Sequence, residues 1–426
     1  MRTNPLKTIT AVLLFTTACA GLSAQTFASA WNGISATQEL TDGVLFVQDT
    51  AKKQEKKKAW YEVINLRGYT QIRYNRLLET NPKLKCDQCD KSWGDKQGFL
   101  IRRARLIFSG NIGDHLFIYI QPDLASAPSS TTLHFAQLRD AYFDYSIDKK
   151  KEFRLRFGQS KIPYGFENLQ SSQNRMPLDR NDALNSALPN ERDLGAMFYY
   201  APAKIRERFK MLVDEGLKGS GDYGVLGFGV YNGQTANKPE LNNDLHVVAR
   251  LSYPFQIGGQ IIEPGVQAYS GKFTIAKDQI TSGLKTNKDA TYDDQRVAAS
   301  FVLYPKPFGI LAEYNIGRGP RFTPTNDSIT TAELSGGMVT LSYLQKIGKQ
   351  TLIPFVRAQQ YSGGKKLETD ARYHFVTEYE FGAEWQIFKY MELVAMYTMS
   401  ERNTLDMTGA NDQKGNLLRL QLQFNF

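Results

Sequence analysis

The last ten residues of the sequence, Leu417–Phe426, read LLRLQLQFNF and predict the fold. From Leu418 to Phe426 every second residue is Leu or Phe, and the residues between them are polar or charged. Because successive side chains of a strand point to opposite faces, this segment is a strand with one apolar and one polar face. A terminal aromatic on such a strand is typical of a transmembrane β-barrel, which faces lipid outside and water inside.

The same two-residue alternation recurs from Val63 onward in about sixteen segments. Val63–Tyr74, for example, places Leu66 and Ile72 on one face and Arg73 on the other. After the N-terminal segment, no run approaches the length of about 18 apolar residues that a membrane helix needs. The mean hydropathy of −0.41 agrees with a barrel, because half of each strand faces a polar lumen.

The connections alternate between short and long. Asn111–Asp114 and Phe388–Lys389 are tight, whereas Asn75–Gly98, Ile162–Arg192 and Glu401–Gly415 are long and polar. Short turns at one rim and long loops at the other are the periplasmic and extracellular ends of outer-membrane barrels. We therefore predict an all-β fold, a transmembrane antiparallel β-barrel of about 16 strands, with short periplasmic turns and long extracellular loops.

One connection departs from this pattern. Ala201–Gly221 falls where a short turn is expected, yet it is long and charged. It is compatible with a periplasmic helix or with two extended strand ends, and both alternatives stay open at this point.

The N-terminus has the features of a secretory signal peptide. Arg2 and Lys7 precede a mostly apolar stretch, and Leu22–Ala24 offers small residues for cleavage, so we assign residues 1–24 to the signal. A lipoprotein signal ending at Cys19 is the weaker alternative. Residues 25–60 then form a periplasmic lead-in that is rich in Lys near its end, and residues 61–426 form the barrel.

The chain is basic. Its formal charge of +9 becomes +7 once Arg2 and Lys7 are removed with the signal. A basic exported protein favours anionic surfaces or anionic solutes as partners, and export argues against nucleic acid.

The predicted lumen face carries two groups of charges. The basic wall of pore-lining anion-binding candidates consists of Arg67, Arg73, Arg103, Arg105, Arg154, Arg156 and Arg419. The opposing acidic wall consists of Glu313, Glu378, Glu380, Glu384 and Glu392. Since the first and last strands of a closed barrel are neighbours, most of these arginines share one wall. A row of guanidinium groups offers a path for anions, because each binds oxyanions bidentately. The alternative is that Arg, Glu, Asp140 and Asp144 simply pair across strands of a polar lumen.

The longest loop, Ile162–Arg192, follows the fifth predicted strand and is well placed to fold inward and narrow the pore. Its basic residues are the constriction candidates Lys161, Arg175, Arg180 and Arg192. Covering the outer mouth or contacting a neighbouring subunit are the alternatives for this loop.

Other reactive residues give no sign of an enzyme. Cys86 and Cys89 suit a small loop disulfide better than a redox centre, since the chain offers no strand-to-helix context for one. Nothing in the sequence predicts a metal site, a cofactor or a catalytic group. The histidines, His115, His134, His246 and His374, lie on separate predicted strands without metal-ligand spacing.

Several segments resemble the phosphate-selective porin O and P family, and the similarity spans nearly the whole chain from Tyr61. They are FLIRRARLIFSGNIGDHLFIYIQPDLA (Phe99–Ala125), LRDAYFDY (Leu138–Tyr145), RLRFGQSKIPYGFENLQSS (Arg154–Ser172), ERDLGAMF (Glu191–Phe198), GVYNGQ (Gly229–Gln234) and VARLSYPF (Val248–Phe255). The resemblance implies a sixteen-stranded, typically trimeric porin with an arginine ladder, in which Ile162–Arg192 corresponds to the constriction loop.

We therefore expect a porin for passive diffusion of small anions, with phosphate or polyphosphate favoured, in the outer membrane of a Gram-negative bacterium. Its expected partners are outer-membrane lipid, small anions such as phosphate and two further copies of the chain in a homotrimer. A general, weakly selective porin and a loop-plugged structural or surface-recognition barrel are the alternatives.

Overall fold

A computed structural model of the protein describes residues 59–86, 93–126 and 133–426. The predicted signal peptide (1–24), nearly all of the lead-in (25–60) and Cys89 lie outside the described residues. The described residues belong to one unit, which begins at Lys58.

Antiparallel strands dominate this unit, as the alternation predicts. In chain order they are β1 (Asn65–Glu79), β2 (Gly98–Ile112), β3 (Leu116–Ser126), β4 (His134–Ser146), β5 (Phe153–Lys161), β6 (Arg192–Tyr200), β7 (Leu226–Tyr231), β8 (His246–Ser252), β9 (Gln260–Thr274), β10 (Thr291–Leu303), β11 (Phe308–Thr323), β12 (Ser328–Tyr343), β13 (Gln350–Gly364), β14 (Tyr373–Phe388), β15 (Met391–Asp406) and β16 (Gly409–Asn425). Two short segments, Phe255–Ile257 and Gln345–Ile347, continue β8 and β12.

The sheet closes on itself through its first and last strands. Tyr69 lies opposite Asn425 and Thr70 opposite Phe424, so β1 pairs with β16 as well as with β2. The backbone amides of Gly68 and Phe426 each donate to the other residue's carbonyl, at 2.8 and 2.9 Å. The prediction of a closed antiparallel barrel of 16 strands is thus confirmed.

Burial alternates along the strands as the sequence pattern predicts. In β16, Arg419, Gln421 and Gln423 are buried on the inner face, whereas Leu420 and Leu422 lie on the outer face and are more accessible. Exposed Phe, Leu and Val side chains form the outer surface, as the alternation predicts for a face turned toward lipid.

The two rims differ as expected, with one correction. The turns at 258–259, 348–349 and 389–390 are tight and share the periplasmic rim. Glu401–Gly415, predicted as a long loop, is instead a hairpin in which β15 and β16 extend to Asp406 and Gly409. Its polar residues continue the strand pairing because the ladder hydrogen bonds do not require an apolar face.

Within the described ranges, three α-helices lie in the connections: α1 (Phe166–Leu169), α2 (Asp182–Ala187) and α3 (Ala203–Asp214). The connection at Ala201–Gly221 therefore holds a helix, and the alternative of extended strand ends is wrong for residues 203–214. Ile205, Phe209 and Leu212 are buried, at the spacing of one helical face. None of the helices in the described part of the chain is long and apolar enough to cross a membrane.

Candidate functional site

The loop between β5 and β6 lies inside the barrel. Most of its residues are buried, and it reaches the far wall, where Asn315 of β11 donates to the Ala183 carbonyl at 2.7 Å. Arg357 of β13 binds Glu167 at 2.9 Å. The sequence leaves three positions open for this loop. In the structure the loop lies inside the lumen.

A second segment enters the lumen from the periplasmic rim. Leu212 and Leu217, at and after the end of α3, pack in one apolar cluster with Phe166 of the loop and Tyr304. The Gln170 side chain donates to the Lys218 carbonyl at 2.7 Å, so the two insertions meet. The sequence marks α3 only by its amphipathic spacing and does not show that this connection turns inward.

These insertions contact the inner faces of β9–β14 and, through Ser172 and Asp179, also reach β1, β2 and β16, whereas the wall formed by β3 and β4 is less covered. On that wall the inward side chains of Phe117, Tyr119 and Tyr142 are only partly buried. At the periplasmic mouth, a cavity of about 390 Å³ is lined in part by Arg67 and Lys218. The inserted segments therefore leave the inner face of β3 and β4 partly accessible.

Four of the predicted wall arginines surround the tip of the inserted loop or the periplasmic mouth. Arg73 and Arg419 both bind Asp179 of the loop, Arg73 at 3.3 Å. Arg103 donates to Gln71 at 2.9 Å, and Arg67 is exposed at the mouth. Neighbouring strands bring these four together, as the closed barrel predicts.

The other three wall arginines each hold an aspartate. The pairs are Arg105 with Asp123 at 2.9 Å, Arg154 with Asp222 at 2.6 Å, and Arg156 with Asp144 at 2.7 and 2.9 Å. This is the arrangement expected if arginines pair with carboxylates in the lumen. The wall is therefore less basic than its arginines alone suggest.

The predicted acidic wall faces the lumen but holds the insertions in place. Glu313 accepts hydrogen bonds from the backbone amides of Phe166 and Glu167, at 2.5 and 2.9 Å. The other glutamates of the acidic wall contact cationic or polar residues that were not among the predicted site residues. Glu378 binds Arg402 at 2.7 Å, Glu380 binds Arg357, Glu384 binds Lys218, and Glu392 is buried on the same side. Three of these glutamates, Glu378, Glu380 and Glu384, are held in ion pairs and Glu313 is held by backbone amides, so the predicted wall is not a row of free negative charges.

Several cations meet where the inserted loop rejoins the barrel. One carboxylate, that of Glu191, has five cations within 4.0 Å. They are Arg175 at 3.0 Å, Arg180 at 3.1 Å, Arg139 at 3.8 Å, Lys161 at 3.9 Å and Arg192. All four constriction candidates thus come together around a residue that the sequence did not single out. We call Glu191 and these five residues the cation cluster.

The backbone shapes this cluster. Asn190 and Glu191 have φ of 68° and 67°, in the left-handed region that non-glycine residues rarely adopt. Arg139 donates to the Asn190 carbonyl at 3.0 Å. Burial alone would raise the pKa of Glu191, but Arg180, Lys161 and the other cations hold that pKa well below its usual range.

Arg139 is in the cluster because of a strand irregularity. Gln121 lies opposite Asp140 and Pro122 opposite Leu138, so Arg139 is the extra residue of a bulge. Regular alternation would place Arg139 on the outer face. Pro122 lacks an amide donor and therefore interrupts the strand pairing, so it is the residue from which this bulge could have been predicted.

Two remaining expectations concern cysteine and metals. Cys86 is buried and disulfide-bonded, and Cys89 lies outside the described residues. Within the three described ranges, no cluster of His, Cys, Asp and Glu has an arrangement that could hold a metal ion.

Solved structures with the same fold are outer-membrane channels. The outer-membrane channel DcaP of Acinetobacter baumannii is 15% identical, with 85% of this chain and 97% of that chain covered and a TM-score of 0.52. OmpF of Salmonella typhi is 15% identical over the same shares, with a TM-score of 0.51. No curated protein sequence matches the chain.

The family model for phosphate-selective porin O and P matches residues 85–426, which is most of the sequence and nearly all of the barrel. The match agrees with the closed 16-stranded barrel. The chain therefore belongs to the phosphate-selective porin O and P family and is a porin of the Gram-negative outer membrane.

Proposed function

We propose that this porin passes small anions, with phosphate as the favoured solute, and that the cation cluster selects them. The observation that carries the proposal is the single Glu191 carboxylate among five cations. With the adjoining Arg105, Asp123 and Asp140, the site has six cations and three carboxylates.

Unbalanced buried charge supports this proposal. Removing ions from water costs several kcal/mol each unless opposite charges are nearby. An anion that enters the site would balance part of this excess, and arginines suit phosphate because they bind its oxygens bidentately. The three carboxylates weaken the positive field of the site, so a bound anion can also be released.

Particular contacts support two alternative functions. Pairing of Arg105, Arg154 and Arg156 with aspartates favours a weakly selective porin. The meeting of two insertions through Gln170 and Lys218 favours a plugged barrel with a structural or recognition role. The homotrimer and the lipid contacts stay predictions from the family resemblance.

Reversal potentials in planar bilayers under a KCl gradient separate these functions. We expect an anion-selective current that phosphate reduces, and Arg139→Gln should lower the anion selectivity by roughly a third, because it removes one charge of a net three. Arg318→Gln is the matched control, since Arg318 pairs with Asp293 on the exposed outer face. A cation-selective or unselective wild-type current would refute the proposal, and absent conductance would favour the plugged barrel.

A further inference from the structure

Two glycines interrupt a row of inward-facing side chains that begins on the partly accessible inner face of β3 and β4. Tyr119, Tyr142, Gly158 and Gly195 lie opposite one another on β3, β4, β5 and β6. A Cβ atom on Gly158 or Gly195 would lie 2.3 or 2.4 Å from a backbone oxygen of the neighbouring strand. Only glycine fits at either position, and both glycines are partly exposed, so the wall there is backbone that no side chain of these two residues covers. We call this part of the wall the glycine recess.

Aromatic rings and a guanidinium group border this recess. The Tyr119 and Tyr142 rings stack with centroids 5.1 Å apart, and the Arg156 guanidinium lies 3.8 Å from the Tyr142 centroid. Tyr223 adds a partly buried ring that meets Tyr199 edge-on at 6.1 Å. Water reaches these rings although their surface is largely apolar, which is unfavourable when the channel is empty.

Three polar groups beside the recess lack partners within the described ranges. Arg156 binds Asp144 through Nε and Nη2, and its Nη1 makes no hydrogen bond there. The buried Nε of Arg154 and the hydroxyl of Tyr199, whose residue is 0% exposed, also have none. A buried donor without a partner destabilises the folded protein. An oxyanion bound beside Arg154 and Arg156 would supply acceptors for donors of this kind.

We propose that the glycine recess binds anions that carry a flat apolar body, such as aromatic sulfonates or carboxylates. The acid group lies at Arg154, Arg156 and Tyr199, and the ring lies over Gly158 and Gly195 beside Tyr142. This proposal rests on the anion-selective function and names a further class of solute for the same path. Chloride and phosphate lack a ring and gain nothing from the aromatic border.

Block of the chloride current by two sulfonates tests the recess. Both benzenesulfonate and methanesulfonate stay ionised, and they differ in the aromatic ring. We expect benzenesulfonate to block the wild-type pore at a roughly threefold to tenfold lower concentration, the range for one aromatic contact. Tyr142→Leu should abolish this difference. Tyr145→Leu on the same strand should keep it, because Tyr145 faces outward and is 46% exposed.

A second variant covers the case in which Tyr142→Leu fails to assemble. Tyr199→Phe keeps the ring and removes a hydroxyl that has no hydrogen-bond partner among the described residues, so the barrel should still form. It should weaken block by both sulfonates. Equal block of the wild type by the two sulfonates, or unchanged block in Tyr142→Leu or in Tyr199→Phe, would overturn the recess proposal. If the current stays anion-selective in that case, the proposed function survives, whereas loss of anion selectivity refutes that function itself.

Discussion

The Glu191 carboxylate lies within ion-pair distance of the five cations of the cluster and also weakens their combined positive field. Replacing it with Gln keeps its shape but removes the negative charge that Lys161, Arg175 and Arg180 share. We expect Glu191→Gln to raise the anion selectivity of the current and to lower the stability of the barrel by about 3–5 kcal/mol, the cost of breaking a buried ion pair.

Reversal potential and thermal unfolding in detergent measure these two effects on one protein sample. Glu333→Gln is the control, because Glu333 is exposed on the outer face and should change neither quantity. Unchanged selectivity in Glu191→Gln would show that the cluster lies off the conduction path.

For most residues, the sequence predicts whether the side chain lies on the inner or the outer face of the barrel. Alternation alone places Arg73, Arg105 and Arg419 inside the barrel, and the structure buries all three. Arg139 could not be predicted, because the bulge opposite Pro122 changes its face. The roles of Arg357 and Arg402 also depend on partners far away in the chain, Glu167 and Asp182. Periodicity contains no information about such distant pairs.

At the scale of elements, the two inserted segments determine how much of the lumen is open. Leu212 is fully buried against the cluster that contains Phe166 and Tyr304. Leu212→Ala should cost about 2–5 kcal/mol of packing energy, which loosens the segment after α3. We expect a larger and noisier single-channel conductance as a result.

Single-channel recording of Leu212→Ala beside Leu241→Ala provides the comparison. Leu241 is 44% exposed in an outer loop, so its truncation should leave the conductance unchanged. Equal conductance in both variants would mean that the segment after α3 does not narrow the path.

The unusual length of this connection could be predicted from the sequence, but the surfaces against which its helix packs could not. The spacing of Ile205, Phe209 and Leu212 defines an apolar face, and any apolar surface could cover it. Ile205 and Phe209 pack with Ala201 and Val225. Leu212 packs with Phe166 and Tyr304, which belong to a loop and a strand end that approach only once the barrel has closed. The inserted loop was easier to place, because its length and position match the constriction loop of the resembling family.

At the scale of the whole molecule, the fold could be predicted because each strand repeats the same pattern and closure needs only a first and a last strand. Gly68 and Phe426 meet at that closure, where their backbones exchange two hydrogen bonds. A Cβ on Gly68 would lie 2.6 Å from the Phe426 ring, so the glycine makes room for the terminal aromatic.

Deleting Phe426 should therefore impair closure. The deletion removes both hydrogen bonds and the ring that covers Gly68, so we expect less folded barrel in outer-membrane fractions, measured by heat-modifiable electrophoretic mobility. Export to the periplasm should continue, because it depends on the predicted signal in residues 1–24. Phe388→Ala is the matched control, since Phe388 is a similarly exposed aromatic, 52% against 63%, that lies outside the β1–β16 pairing. Normal assembly of the deletion variant would show that the β1–β16 ladder closes the barrel without its terminal residue.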